Sequence, residues 1–218
     1  MGMAKRKPSI VVGVDLAGSP SRPTGVCILR GLKAQTSVVF GDEEIIELIK
    51  NTGPDLVTVD APLSLPEGRT TIHDRSGGHF RECDRELRRR GIRFFPVTIG
   101  PMRMLTERGM ALKTKVERMD CPVMECYPGA AQDVWGIPRQ HRDRKGLREG
   151  LKDLGVKGLA EALTGDELDA VTAALVGRWL LLGKGEIIGG SDGIVMPARE
   201  KTEARRGRRS RGQMCNHA

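Results

Sequence analysis

The sequence has few aromatic residues and no long apolar run. Aromatic side chains make up 3% of the 218 residues, so we expect a core of Val, Ile, Leu, Ala and Met and no extended base-stacking surface. The most apolar segment, residues 170–182, is too short and too polar to span a bilayer. The apolar run Ile10–Val14 is too short for a secretory signal. These absences predict a cytoplasmic protein without a membrane partner.

Cysteines and nucleotide-binding motifs are also sparse. The five cysteines are odd in number and form no C-x-x-C pair, so we expect free thiols in a reducing compartment. The sequence contains no Walker loop and no G-x-G-x-x-G fingerprint. A Ser or Cys nucleophile paired with a His is disfavoured, because none of the four His lies in a strand-end motif. A zinc site is a minor alternative, with soft donors at His73, His79, Cys83, Cys121 and Cys126.

Positive charge is abundant and unevenly distributed. The net charge is +8, and residues 199–218 contain seven basic and two acidic side chains. We predict this basic tail over residues 198–218. Its charge favours binding of a polyanion such as nucleic acid. Alternatively, it is a disordered end that keeps the protein in solution. A second basic segment lies within residues 81–93. Its Arg81, Arg85 and Arg88 would share a helical face and contact phosphates, or they would belong to a solvated helix paired with its own acidic residues.

The order of predicted elements indicates an α/β fold. Residues 9–16, 24–30 and 36–40 are predicted as an antiparallel meander, followed by a helix from Asp42 and a strand over residues 56–60. A strand, helix and strand in this order imply parallel pairing through a right-handed crossover. Further elements are predicted as helices at 80–90, 102–115, 128–135, 145–154 and 166–182, a strand at 122–127 and a hairpin at 186–197.

Two aspartates end predicted strands. Asp15 follows an apolar run, and Asp60 ends Leu56–Asp60. An unpaired carboxylate is costly in a buried strand. If the two strands are neighbours, the carboxylates face each other at one edge of the sheet, and a hard divalent cation would relieve their repulsion. Alternatively, Asp15 begins an Asx turn and Asp60 accepts backbone hydrogen bonds, but two strand-end carboxylates together favour the metal.

Three other carboxylates are candidates for the same site. Glu125 ends a short apolar strand, and Asp166 and Asp169 lie three residues apart on one face of a helix. For Asp166 alone the pattern favours a helix N-cap after Gly165, and Asp169 could be a first-turn charge favoured by the helix dipole.

Seven short segments carry a resemblance to a known family: Gly13–Gly18, Val59–Leu63, Cys83–Arg88, Gly91–Pro96, Met102–Gly109, Glu125–Ala131 and Asp166–Ala170. Taken together and in this order, they resemble a family of predicted nucleases with a ribonuclease-H-like fold, the domain-of-unknown-function 429 family (DUF429). The resemblance extends from about residue 10 to Pro197, and we expect one domain over residues 9–197 with a partly helical, basic insertion at 62–121.

The resemblance implies a ribonuclease-H-like mixed sheet of three antiparallel and then parallel strands, flanked by helices. It also implies a catalytic site in which Asp15, Asp60, Asp169 and Asp166 hold Mg²⁺ or Mn²⁺, with Glu125 as a ligand or supporting residue. The expected activity is hydrolysis of phosphodiester bonds in DNA or RNA by two ions about 4 Å apart, with Asp15 bridging them, Asp60 on one and Asp169 on the other. Two alternatives stay open: a non-catalytic nucleic-acid-binding protein, and a phosphotransferase or ATPase of the actin-like branch.

Overall fold

A mixed β-sheet organises the part of the chain that the structure, a computed structural model, describes: residues 8–190 and 192–198. Its strands are β1 (Ile10–Asp15), β2 (Thr24–Arg30), β3 (Lys33–Val39), β4 (Leu56–Asp60), β5 (Val123–Cys126), β6 (Gly185–Ile188) and β7 (Ile194–Pro197). They lie in the order β3-β2-β1-β4-β5-β7-β6. Residues 199–218, which include most of the predicted basic tail and Cys215, are outside the described residues.

The pairing of the strands confirms the predicted ribonuclease-H-like arrangement. The first three strands form an antiparallel meander, and β4 and β5 add to β1 in parallel. β7 pairs in parallel with β5, and β6 closes the sheet as the predicted hairpin. One strand differs from its prediction: β3 begins at Lys33 instead of Thr36. Gly31, with a φ of 61°, allows a two-residue turn, so pairing starts at Lys33, in a stretch whose small Ala34 gives only a weak apolar signal.

Helices cover both faces of the sheet. They are α1 (Asp42–Thr52), α2 (Glu82–Arg89), α3 (Gly100–Glu117), α4 (Pro128–Trp135), α5 (Arg144–Asp153) and α6 (Gly165–Leu181). On one face, apolar side chains of α1 and α3 pack on Val12, Val14 and Val57. On the other face, α5 and α6 pack on Val11, Cys27 and Leu29. As predicted, this core consists mainly of aliphatic residues, and the described cysteines are free.

The long helix α6 lies unusually close to the sheet because two strand residues are glycines. A Cβ on Gly13 would clash with the carbonyl oxygen of Ala170, and one on Gly25 would clash with that of Asp166. Gly177, nearer the end of α6, lies against Val11 at the start of β1. The helix therefore runs antiparallel to β1 and brings its first turns to the carboxyl edge of the sheet. Among the described residues, no helix is long and apolar enough to cross a membrane.

Candidate active site

Asp15 and Asp60 are direct neighbours in the sheet. The parallel register of β1 and β4 places Asp15 opposite Asp60, and neighbouring strands lie about 4.8 Å apart. Side chains alternate between the two faces of a strand, and Gly13, two residues before Asp15, contacts α6. Thr58, two residues before Asp60, donates a hydrogen bond to the carbonyl oxygen of Ala173 in α6 at 2.8 Å. Both carboxylates thus lie on the α6 face.

Helix α6 brings Asp166 and Asp169 to the same place. Asp166 is packed over Gly25, the residue that pairs with Asp15 across β1 and β2. The favoured interpretation of Asp166 as an N-cap is wrong. The N-cap is Thr164, whose hydroxyl accepts from the N–H of Glu167 at 3.1 Å, and Glu167 accepts in return from the Thr164 N–H. Asp166 is therefore free of a capping role and lies in the first turn.

Burial and the neighbouring negative charges raise the pKa of Asp15 and of Asp60. Burial raises the pKa of Asp15 well above its ordinary value, and the charges of Asp60, Asp169 and Asp166 raise it further. Burial is also the main reason that the pKa of Asp60 is raised, followed by the charge of Asp169. Among the described residues, none of these four carboxylates forms an ion pair with a basic side chain. Such a concentration of carboxylates without an ion-paired partner attracts a cation.

Glu125 occupies a different position from the four aspartates. It lies opposite Val59 in the register of β4 and β5, so it belongs to the other face of the sheet from Asp60. Its Oε2 accepts from the Leu63 N–H at 2.8 Å and from Arg81 Nη1 at 2.5 Å, and its Oε1 accepts from Arg81 Nη2 at 2.8 Å. Glu125 is thereby bound within the protein, which favours a supporting role over that of a metal ligand.

Arg81 differs from Arg85 and Arg88, with which it was predicted to share a helical face. It is the N-cap residue of α2 and is buried, with 5% of its side chain exposed. Its guanidinium pairs with Asp84 as well as with Glu125. The pair with Asp84 agrees with the alternative interpretation, in which the arginines pair with acidic residues of their own helix. The spacing of the arginines does not reveal that a buried carboxylate from a distant strand also binds Arg81. Arg85 and Arg88 are exposed, and their contact with phosphates stays a prediction.

Sequence reasoning missed several residues that approach the aspartates from the segment after β5. Arg139 lowers the pKa of Asp60 and that of Asp169, although burial dominates both shifts in the opposite direction. Arg139 is oriented by Asp133, to which its Nη2 donates at 2.5 Å, and by the Tyr127 hydroxyl at 3.1 Å from its Nη1. Gln132 donates its Nε2 to Asp169 Oδ1 at 2.6 Å. The Tyr-Pro turn after Glu125 was the one available signal that this segment matters.

A cavity of about 230 Å³ opens beside Asp15 and Asp60. Its walls combine the loop after β4, the segment that precedes α3, and the end of β5. Arg108 of α3 holds the nearby loop after β1 in place, since its Nη1 donates to the Ala17 carbonyl at 2.6 Å and its Nε to Asp42 at 2.8 Å. The carboxylates therefore lie at the margin of a formed pocket.

The family whose sequence model matches residues 13–193 is described as "Protein of unknown function (DUF429)". This chain belongs to the DUF429 family. The match confirms the resemblance and extends from β1 to the turn between β6 and β7. No curated protein matches the chain.

Two solved structures of RuvC from Thermus thermophilus are similar to this DUF429 domain. The structure with a Holliday junction substrate has 14% sequence identity and a TM-score of 0.45, with 80% of this chain and 96% of that chain covered. The second RuvC structure has 13% identity and a TM-score of 0.47, with the same coverage. At this distance the similarity concerns the fold alone.

The donor atoms of the DUF429 site suit a hard divalent cation. All four aspartates offer carboxylate oxygens, the ligands that Mg²⁺ and Mn²⁺ prefer. Within residues 8–190 and 192–198, no three His, Cys, Asp or Glu side chains are already arranged around a common metal position. The fit of the site to Mg²⁺ or Mn²⁺ rests on the kind of donor and on the mutual repulsion of the aspartates. The soft donors considered for zinc are likewise not brought together.

The stability of the metal-free DUF429 domain should fall as the pH rises through about 6. Burial raises the pKa of Asp169 to about 6, against the hydrogen bond from Gln132 that lowers it. Because the folded state binds this proton more tightly than the unfolded chain, the stabilisation is complete below about pH 4 and is lost as the pH rises through the folded pKa. Asp15 and Asp60, whose pKa values are also raised, act in the same direction.

Thermal melts in EDTA from about pH 4 to pH 8 would measure this effect. Asp169→Asn should flatten the decline, whereas Asp153→Asn, at an exposed position of α5, should leave it unchanged. Identical pH profiles for the wild-type protein and Asp169→Asn would contradict the prediction. Added Mg²⁺ or Mn²⁺ should restore stability at pH 8 by binding the folded state.

Proposed function

We propose that this DUF429 protein is a divalent-metal-dependent phosphodiesterase that cleaves nucleic acid. The observation that carries the proposal is the group of four half-buried aspartates from β1, β4 and α6 on one face of the sheet, none of which forms an ion pair with a basic side chain of the described residues. A purely structural role would be costly, because each buried carboxylate would need compensation. A bound cation supplies that compensation.

In this proposal Asp15, Asp60, Asp166 and Asp169 hold Mg²⁺ or Mn²⁺. The bound ion would activate water and stabilise charge on the reacting phosphate. Gln132 positions Asp169 through its hydrogen bond to Oδ1. Glu125 and Arg81 hold the loop after β4, which begins next to Asp60. The exposed Arg85 and Arg88 supply positive charge for the backbone of a polyanion.

A cleavage panel tests the proposal. Labelled single-stranded, duplex and branched forms of DNA and RNA are incubated with Mg²⁺, Mn²⁺ or EDTA. We expect cleavage of at least one form with a metal and none in EDTA. Salt-sensitive binding without cleavage, equal in Asp15→Asn, would instead support the non-catalytic alternative. Release of phosphate from ATP without cleavage of any nucleic acid would support the actin-like alternative.

Arg139 is the basic residue that we expect to contact the reacting phosphate. Asp133 and Tyr127 orient its guanidinium beside Asp60 and Asp169. We predict that Arg139→Ala lowers kcat/KM for cleavage by roughly 10- to 100-fold, since a hydrogen bond to a charged group contributes about 1.5–3 kcal/mol. Arg139→Lys should recover part of this loss.

The matched control for Arg139 is Arg142→Ala. Arg142 lies three residues further along the same loop and is exposed, so its replacement removes the same charge without altering the pair with Asp133. We expect at most a small change in kcat/KM. Equal losses in Arg139→Ala and Arg142→Ala would show that only the net charge of the loop matters, and that Arg139 does not contact the phosphate.

A further inference from the structure

The cavity beside Asp15 and Asp60 continues the candidate active site into an apolar space. The two aspartates form part of its wall, so a substrate whose phosphate lies at the aspartates places its next chemical group at the cavity. At about 230 Å³, the cavity is smaller than the sites of about 300–1,000 Å³ that hold drug-sized ligands. It can admit one ring system, but not a duplex.

The walls of the cavity favour a flat, uncharged group. Most of them are apolar, with contributions from Leu16, Pro62, Phe94, Phe95, Met102 and Leu105. Apart from Asp15 and Asp60 at its margin, the charged residues of the wall are Arg81, Asp84 and Glu125, which are bound to one another by ion pairs of 2.5–2.9 Å. A phosphate would therefore find no free positive charge in the apolar part of the cavity, whereas an aromatic ring would bury apolar surface there.

Phe95 places an aromatic ring at the mouth of this cavity. The residue is 72% exposed although it also lines the cavity. An exposed phenyl ring next to a polyanion-binding site is suited to stacking on a base, since every base has a π-face. The sequence has few aromatic residues overall, but two of its four Phe lie in this wall. Although the aromatic content of the whole sequence is low, the fold therefore brings aromatic side chains together at this cavity.

We infer that this cavity receives an unpaired base of the substrate, stacked on Phe95, so that the enzyme acts on single-stranded or locally unpaired nucleic acid. The inference rests on the proposed function for the position of the phosphate. In a perfect duplex each base is paired and stacked within the helix, and entry into the cavity would require extruding it. Single strands, bulges and mismatches avoid most of that cost.

A fluorescent base analogue tests the cavity independently of cleavage. Short DNA and RNA oligonucleotides carrying one 2-aminopurine are titrated with the full-length protein, in Mg²⁺ and separately in EDTA. The analogue is placed in a single strand, in a perfect duplex, or as one bulged residue in a duplex. We expect its fluorescence to be quenched by the protein in the single strand and the bulge, and the quenching to be lost in Phe95→Ala. The duplex should show no such change.

The matched control is Ile99→Ala, which removes an apolar side chain that is 47% exposed and does not line the cavity. Phe95→Ala should weaken binding of the single strand by roughly 5- to 150-fold, the range that loss of one stacked base gives. Phe95→Tyr should keep both affinity and quenching, and the thermal midpoint of all three variants should stay near that of the wild type.

Equal affinity for duplex and single strand, or equal losses in Phe95→Ala and Ile99→Ala, would overturn the base-binding role. Metal-dependent cleavage together with either of these results would leave the proposed function standing and remove only the inference about the base. Quenching that depends on Phe95, without cleavage under any condition, would support the base site and contradict the nuclease.

Discussion

Asp15→Asn should abolish metal-dependent cleavage while leaving the protein folded. Asp15 is the aspartate whose pKa is raised by burial and then by the charges of Asp60, Asp169 and Asp166 together, so it lies where the four charges converge. A catalytic ion contributes several kcal/mol of transition-state stabilisation, and each 1.36 kcal/mol is tenfold in rate. We therefore expect the rate to fall on the order of a thousandfold or more.

The same substitution should not destabilise the metal-free protein. Asparagine has nearly the shape of aspartate and removes one of four repelling charges, so the thermal midpoint in EDTA at neutral pH should stay level or rise. Added Mg²⁺ should raise the midpoint of the wild type more than that of Asp15→Asn. Asp153→Asn, on the exposed end of α5, is the control for the loss of one negative charge. Full cleavage by Asp15→Asn would refute the assignment of the site.

Arg81→Met should cost more stability than the replacement of Arg85, Arg139 or Arg142. Its guanidinium is the shared partner of Asp84 and Glu125, whose side chains are 2% and 6% exposed. Removing one partner of a buried ion pair leaves an uncompensated buried charge and costs about 3–5 kcal/mol. The free energy of unfolding, measured by urea titration at neutral pH, should fall by about that amount.

Two further variants test whether the loss of stability comes from the buried ion pairs of Arg81 with Asp84 and Glu125, or from the removal of any arginine in this helix. Arg85→Met lies on the same helix but is exposed, so its replacement should change the free energy of unfolding by no more than about 0.5 kcal/mol. Combining Arg81→Met with Glu125→Gln should recover part of the loss, because the amide can still accept from the Leu63 N–H and carries no charge. If Arg81→Met lowered the free energy of unfolding no more than Arg85→Met, the ion pairs of Arg81 with Asp84 and Glu125 would not stabilise the fold.

Local sequence patterns were sufficient for most of the elements. The β-branched run of β1, the short strand before Asp60 and the apolar stripe of α6 each have a periodicity that a single segment displays. Their order implied the ribonuclease-H-like sheet, which the strand pairing confirms. The early start of β3 was missed because Lys33 and Gln35 are polar and Ala34 is small, and because these residues are paired only through the tight turn at Gly31.

Local sequence patterns could not predict the contacts between distant segments of the chain. Glu125 and Arg81 are 44 residues apart, and nothing in either segment indicates that they bind each other. Arg139 reaches the neighbourhood of Asp60 only because the chain folds back after α4. The same reason explains the cavity, whose walls come from several segments that meet only in the folded protein.

The sequence by itself determined that Asp15 and Asp60 end buried strands and that two further aspartates begin a long helix, because alternation and helical spacing are properties of neighbouring residues. Only the tertiary structure decided that Asp15 lies directly opposite Asp60 and that α6 approaches closely over Gly13 and Gly25. It also decided that Glu125 is bound by Arg81. Register, close packing and buried ion pairs depend on which surfaces meet, and that depends on the whole chain.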